Sequence, residues 1–337
     1  NALLAPGEGG HLDYAESISV TGSASKEQIE AIEGYGSGEK SYTNISDSAA
    51  NIIALGNTIL NKATGTVAIT DTTVTAQNGS SLAALTKAVQ FSVADPATNI
   101  LNVGTALSEA QAISVEGTIS ADQLKLLEII NSNNSYAAVE DTATEIVGLN
   151  GGADTMLDKV AGTVTVTTAA TAAQAATLAD LTHAVVFNVE APVAGLVGDD
   201  AEITSTQLAE AADITVTDAV NLTQAAVIEA FDNEGSNSYA ISDTVADIAA
   251  ANEAALTPAA TVTATGNANA TQATTLAGFT KAVTFSVEDG GSEILVAGSV
   301  VMNEAVDITV TGNISVDNAT TIDDWTNSGT NSYAISD

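Results

Sequence analysis

The sequence predicts an α/β repeat: a right-handed βα solenoid with a parallel sheet and about four rungs in each superrepeat. Three observations lead there. Short strand-like segments recur at nearly constant spacing, the residues between them switch to helical spacing, and helix-capping residues stand at the junctions. Four segments open alike: Ser41-Tyr42-Thr43-Asn44-Ile45-Ser46-Asp47, Ser135-Tyr136-Ala137-Ala138-Val139-Glu140-Asp141, Ser238-Tyr239-Ala240-Ile241-Ser242-Asp243 and Ser332-Tyr333-Ala334-Ile335-Ser336-Asp337. Their tyrosines lie 94, 103 and 94 residues apart.

Three further segment types keep nearly the same period. One comprises Val67–Thr70, Val164–Thr167 and Val262–Thr265. The second is the Ala-Val-x-Phe-x-Val unit at Ala88–Val93, Ala184–Val189 and Ala282–Val287. The third is Ile18–Val20, Ile113–Val115, Ile214–Val216 and Ile308–Val310. The fourteen segments come at about one per 24 residues, a solenoid-like spacing. Each alternates branched apolar with small polar residues, the period-two mark of a strand with one buried face.

Between the strands the spacing turns helical, as in Gln123, Leu124, Leu127 and Ile130, in Gln174, Ala175, Leu178 and Leu181, and in Gln272, Ala273, Leu276 and Phe279. Asp47-Ser48, Asp141-Thr142 and Asp243-Thr244 stand before Ala-rich runs reaching Ile52, Ile146 and Ile248, where a side-chain oxygen can accept from a free helix N–H. Gln28, Gln123, Gln224 and Asn318 recur at the turn into a helix and read as scaffold residues bonding backbone. Pro96 and Pro192 sit just past strands, where a missing N–H is tolerable. A strand, a helix and a parallel return strand make one rung, and fourteen rungs at strand spacing give a rod of roughly 65 Å. The alternative is a string of tandem α+β domains of about 95 residues, each with its own sheet; pairing between sequence-neighbouring strands discriminates the two.

The domain reading follows the repeat. Residues 1–16, with Pro6, Gly7, Gly9 and Gly10, form an irregular arm or cap. Residues 17–134 are the first repeat region, 135–237 the second superrepeat and 238–331 the third. Residues 332–337 start a further repeat, as in a fragment of a longer array. The surplus residues of the 103-residue spacing are expected around Pro192 to Gln207.

Composition narrows function. Asp and Glu number 42 against 7 lysines and no arginine, and the net charge of −35 repels nucleic-acid phosphates and anionic lipid heads. There is no cysteine, which excludes disulfides and thiolate chemistry, and two histidines cannot build a His-rich zinc centre. No apolar run is long enough for a transmembrane helix. With hydrophobic residues at 45% but aromatics at 4%, the core is expected to be many thin layers of small branched side chains. This balance fits a secreted microbial surface protein better than a halophile cytosolic one.

Catalysis is not expected. His183 fills the slot held by Lys87 and Lys281 and reads as solvent-facing, His11 has no recognisable partners, and no Gly-x-Ser-x-Gly elbow occurs. Carboxylate groups are the better chemical candidates. Asp199, Asp200 and Glu202, and Glu288, Asp289 and Glu293, could supply oxygens to calcium, which takes six to eight, against the plainer reading of a solvated acidic loop. Asp323-Asp324 before Trp325 is a third acidic pair. The four tyrosines read as packing on the following rung. The outward Ser19, Thr70, Ser92, Ser114, Thr165, Thr215 and Thr309 form ranks too mixed for an ice-binding face.

The Tyr-Ala-Ile-Ser-Asp-Thr units, with Ala-Val-x-Phe-Ser-Val and Ile-Thr-Val-Thr units between them, resemble the tandem-repeat regions of large secreted bacterial surface proteins: S-layer-like proteins, adhesins and extracellular filament subunits. The likeness spans about residues 17 to 337. It implies an extracellular or cell-surface location, self-assembly with copies of the chain, and often calcium; the Gly-Gly-x-Gly-x-Asp calcium repeat of such proteins is missing. The expectation is a structural protein of a filament, sheath or surface layer, with an adhesin stalk or glycan-binding module as the alternative, no nucleic-acid partner and no membrane insertion.

Overall fold

The computed structural model describes residues 13–149 and 153–336. His11, the prolines and glycines of the first ten residues, and Asp337 lie outside them. Among the described residues the chain holds sixteen strands and sixteen α-helices, mostly in alternation. The strands form three sheets, each in chain order. The first holds β1 (Ser17–Ala24), β2 (Glu39–Asp47), β3 (Val67–Ile69) and β4 (Val89–Gln90). The second holds β5 (Val93–Pro96), β6 (Ile113–Ile119), β7 (Asn134–Asp141), β8 (Val164–Val166) and β9 (Val185–Val186). The third holds β10 (Val189–Ala191), β11 (Ile214–Val220), β12 (Asn237–Thr244), β13 (Thr261–Ala268), β14 (Val283–Gly290), β15 (Ile308–Ile314) and β16 (Asn331–Ile335).

All fourteen expected segments fall on strands. Two Ala-Val-x-Phe-x-Val units are interrupted at Phe91-Ser92 and Phe187-Asn188, which divides each into two short strands, whereas β14 runs unbroken through Phe285-Ser286. In the seven-stranded sheet every registered pair is parallel and joins sequence neighbours, from Val189↔Ile214 through Ile241↔Val262 to Thr309↔Ser332. That one sheet takes strands from two successive periods, whereas the strand ladder is broken between β4 and β5 and between β9 and β10, so neighbour pairing does not run through all sixteen strands. Parallel neighbours need a crossover, and the helices supply it.

Two compact units divide the chain. One comprises residues 1–141, 148–165 and 182–184; the other comprises 142–147, 166–181 and 185–337. In the first, β1 to β7 and their helices enclose Ile29, Tyr42, Ile45, Ile52, Leu82, Ile100 and Tyr136, each at most 1% exposed. In the second, Ile146, Leu208, Ile228, Ile241, Ile248, Leu276 and Ile294 are buried to the same degree. The isoleucines that the Ala-rich runs reach, Ile52, Ile146 and Ile248, are fully buried. The largest fully buried side chains are Tyr42, Tyr136, Tyr239, Phe187 and Phe285.

A bulge recurs where strands turn into helices. Register shifts interrupt the pairs of β1, β6, β11, β13 and β15 with the strand that follows each; in β11 Asp218 stands at the bulge without a positive φ, and glycine stands at the other four. At that place Gly22, Gly117, Gly266 and Gly312 take φ of +87°, +76°, +85° and +80°. Only glycine enters this left-handed region without cost, and the extra residue re-aims the chain toward the helix start.

The surplus of the second period is not confined to Pro192–Gln207. Val189 pairs with Ile214 after 25 residues, where Val93 reaches Ile113 after 20 and Val287 reaches Ile308 after 21. Tyr136 bridges Val160 after 24 residues where Tyr42 bridges Ala63 after 21, so the turn before β8 shares the excess. The long connection after β10 is ordered as two short helices, Val193–Leu196 and Ser205–Leu208.

Truncating a layer tests the packing. Ile248→Ala removes a fully buried side chain, and a loss of about 2–5 kcal/mol in urea unfolding is expected; exposed Val296→Ala, at 87% exposure, should change stability little.

Candidate functional site

The most regular polar constellation lies where helices begin. Each N-cap side chain serves its own helix: Ser25, Ser120 and Asn221 accept from Gln28, Gln123 and Gln224, whose side chains return the bond to the cap N–H. This is the scaffold role expected of those glutamines; Asn318 donates its N–H to Ser315 without the return bond. The cap of the later helices is Ser48, Thr142 or Thr244, the second residue of each expected pair.

The aspartate before it does something else: it reaches back one rung. Asp47 Oδ2 accepts the first N–H of the preceding helix, from Lys26, at 2.7 Å. Asp141 accepts from Ala121 and Asp243 from Leu222, both at 3.0 Å. Asp71, Asp95, Asp218 and Asp289 accept likewise from Ala49, Ala76, Val193 and Ala270 at 2.5, 2.8, 2.6 and 2.9 Å, and Thr168 Oγ1 serves Ala143 at 3.1 Å. Several of these carboxylates also hold their own rung. Asp47 Oδ1 accepts from Ser48 N–H at 2.7 Å and Asn51 Nδ2 at 2.8 Å; Asp243 and Asp289 Oδ1 accept from Thr244 and Gly290 N–H at 2.8 Å. An anion between two helix starts meets two positive dipole ends. The Asn51 hydrogen bond, aided by the backbone donors and Lys26 against burial, holds Asp47 below the ordinary aspartate range.

A second constellation surrounds the tyrosines. Tyr42, Tyr136 and Tyr239 are 0, 1 and 2% exposed, as the packing reading requires, whereas Tyr333 is only half-buried. Tyr42 donates to Glu33 Oε1 at 2.8 Å, and Lys62 Nζ lies 2.6 Å from Glu33 Oε2. Tyr136 donates to Glu128 at 2.5 Å, and Lys159 Nζ lies 2.5 Å from the other oxygen of Glu128. Tyr333 donates to Asp323 at 2.5 Å. Burial, and then the adjoining carboxylate, push the Tyr42 and Tyr136 hydroxyls well above the ordinary phenol value. Burial pushes Glu33 up, but the hydrogen bonds of Lys62 and Tyr42 outweigh it and hold the carboxyl below its usual value. Sequence reasoning missed these acids. The signal was present: Glu33, Glu128, Glu229 and Asp323 each follow their helix N-cap by eight residues.

The expected calcium ligands are placed differently. Asp199, Asp200 and Glu202 are exposed on the connection after Val193–Leu196. Asp289 is committed to the helix-start ladder, Glu288 Oε2 accepts from Asn267 Nδ2 at 2.5 Å, and Glu293 accepts from Ser292 at 2.7 Å. Among the described residues, no group of three or more His, Asp or Glu is arranged to hold a metal ion. Lys87, His183 and Lys281 are half-buried, not fully solvent-facing, and Lys87 donates to the Ala63 carbonyl at 2.9 Å. In the first unit an open groove of about 790 Å³ runs over β3 and β4, with Thr66, Asp71, Thr86, Lys87, Gln90 and Gln111 among its lining. Its polar groups are hydroxyls, amides, Asp71 and Lys87, with no histidine among its lining to act as a base at neutral pH. No helix among the described residues is long and apolar enough to cross a membrane. No protein-family model, curated protein or solved structure matches this chain.

Two measurements probe the ladder. Asp243→Asn keeps one of two accepting oxygens and should lose less stability than Asp243→Ala, which is expected to cost about 1–3 kcal/mol by urea unfolding. The second is pH. Asp47, Glu33, Asp213 and Asp307 are all held below their ordinary values, the last two by the N–H and hydroxyl of Ser236 and Thr330. Their contribution is complete above the unfolded carboxylate values and is lost as pH falls through the lower folded ones. Easing of self-repulsion acts oppositely on the way down from neutrality. A thermal midpoint that peaks on the acid side of neutral and falls below about pH 4 is expected.

Proposed function

We propose that this chain is a structural extracellular repeat protein that assembles with copies of itself into a filament, sheath or surface layer, its rungs stacked as a right-handed βα solenoid. One observation carries the reading: seven aspartates are spread along the chain and not gathered at one place, each joining a helix start to the strand segment that follows. Stability in such a body is close to a sum of nearest-neighbour terms, which suits an extended load-bearing element. The strongly negative exterior keeps a long body soluble until a specific contact forms.

An adhesin stalk or glycan-binding module is the second reading, favoured by the groove over β3 and β4, whose hydroxyl and amide lining is what a polyol would meet. A glycan array that stays blank at physiological salt counts against it.

Two experiments test the structural reading. Deleting residues 135–237 joins Asn134 to Ser238 in phase with the repeat. The shortened chain should fold cooperatively with proportionately lower ellipticity; global unfolding would sink the modular account. Electron microscopy of the native material should show an ordered polymer, whereas dispersed single particles at all concentrations would remove the assembly claim.

A further inference from the structure

The periods can be aligned through their backbone bonds. Thr64, Ala161 and Ala260 donate to the carbonyls of Tyr42, Tyr136 and Tyr239, each at 2.8 Å. Two residues earlier the first two periods carry Lys62 and Lys159, and the third carries Pro258. Those lysines place an ammonium at 2.6 and 2.5 Å from the acid that also receives the tyrosine hydroxyl. In the third period the acid and the phenol remain but the ammonium is gone. Tyr239 is 2% exposed and its hydroxyl stands beside Glu229, yet it has no hydrogen-bond partner of acceptable geometry. Among the described residues Glu229 has no ion-pair partner.

We propose that Glu229 and Tyr239 form an open ammonium site: they bind a primary ammonium group in the position that Lys62 and Lys159 fill in the sister periods. The chemistry favours an ammonium over a metal ion. One carboxylate and one phenol offer few oxygens where calcium takes six to eight, and no group of three acids forms among the described residues. An ammonium brings three donors and no acceptor, so a carboxylate and a nearby carbonyl suffice; Lys159 uses Glu128 and the Ser132 carbonyl, the latter at 2.8 Å. Seating it reproduces the sister arrangement, in which the acid accepts from both the ammonium and the buried hydroxyl. Pro258 carries no amine and cannot supply the group. The ammonium comes either from a free small amine or from a lysine of a second copy of this chain; the second source rests on the assembly reading above.

The test titrates the full chain with n-butylammonium chloride and, at matched ionic strength, tetramethylammonium chloride, which carries the same charge without an N–H. The readout is the Tyr239 ring signal by NMR, identified by its loss in Tyr239→Phe. A saturable shift with butylammonium alone is expected, abolished in Glu229→Gln and in Pro258→Lys. The lysine variant should also raise the thermal midpoint by supplying its own ammonium. Equal responses to the two cations, or a butylammonium response that survives Glu229→Gln, overturns the site. Sedimentation across chain concentrations separates the sources. Association weakened by butylammonium and by Glu229→Gln supports the lysine of a second copy. A chain that stays monomeric yet shows the butylammonium shift supports the free amine and counts against assembly alone.

Discussion

The first N–H groups of a helix have no partner within it, and a repeat that begins a helix every twenty-odd residues multiplies that deficit. In this chain the deficit is met from outside the helix. The own-rung cap satisfies one donor, and at seven helix starts an aspartate on or just past the next strand satisfies another, so a local requirement of those helices becomes a bond to the next strand segment. Asp95, only 8% exposed, shows how far this goes: one oxygen takes the Ala76 N–H at 2.8 Å and the other the Asn99 amide at 2.7 Å. A hydrogen bond to a charged group contributes about 1.5–3 kcal/mol when well formed, and the favourable dipole adds a few tenths to about 1 kcal/mol.

The same ladder sets the terms of the electrostatics. A net charge of −35 is a standing repulsion, yet part of it is structural, because a neutral isostere could not serve both oxygens' donors. The lysines are too few to neutralise the surface, and two of them are spent at the tyrosines, with side chains only 31% and 28% exposed. Ion pairs of that exposure contribute less than their short distances suggest; the buried rings behind them do more.

Much of this was legible in the sequence, and the limits have physical causes. Period-two alternation located every strand segment, because a half-buried strand constrains each second residue. Gln28, Gln123 and Gln224 announced their bonds, since a capping box is local in sequence. The division of labour in Asp47-Ser48 was not legible: both residue types can cap, and only the position of the preceding rung decides which does. The acids at Glu33, Glu128 and Glu229 were hidden among many others until the buried hydroxyls of Tyr42 and Tyr136 and the ammonium groups of Lys62 and Lys159 singled them out. The breaks at Phe91-Ser92 and Phe187-Asn188 were also invisible, since β14 shows that nearly the same residues can run unbroken. The calcium reading of Glu288, Asp289 and Glu293 assumed that neighbouring acids were unemployed, and Asp289 is bound to backbone.

The scarcity of basic residues has a consequence outside the fold itself. Trypsin-like proteases cut after lysine or arginine, and this chain offers them seven lysines and no arginine. Lys62 and Lys159 are tethered to Glu33 and Glu128, and the carbonyl next to each scissile bond is already engaged by the N–H of Tyr42 and Tyr136, at 3.1 and 3.0 Å. A trypsin-like enzyme must therefore prise a strand loose before it can cleave at either of these two lysines.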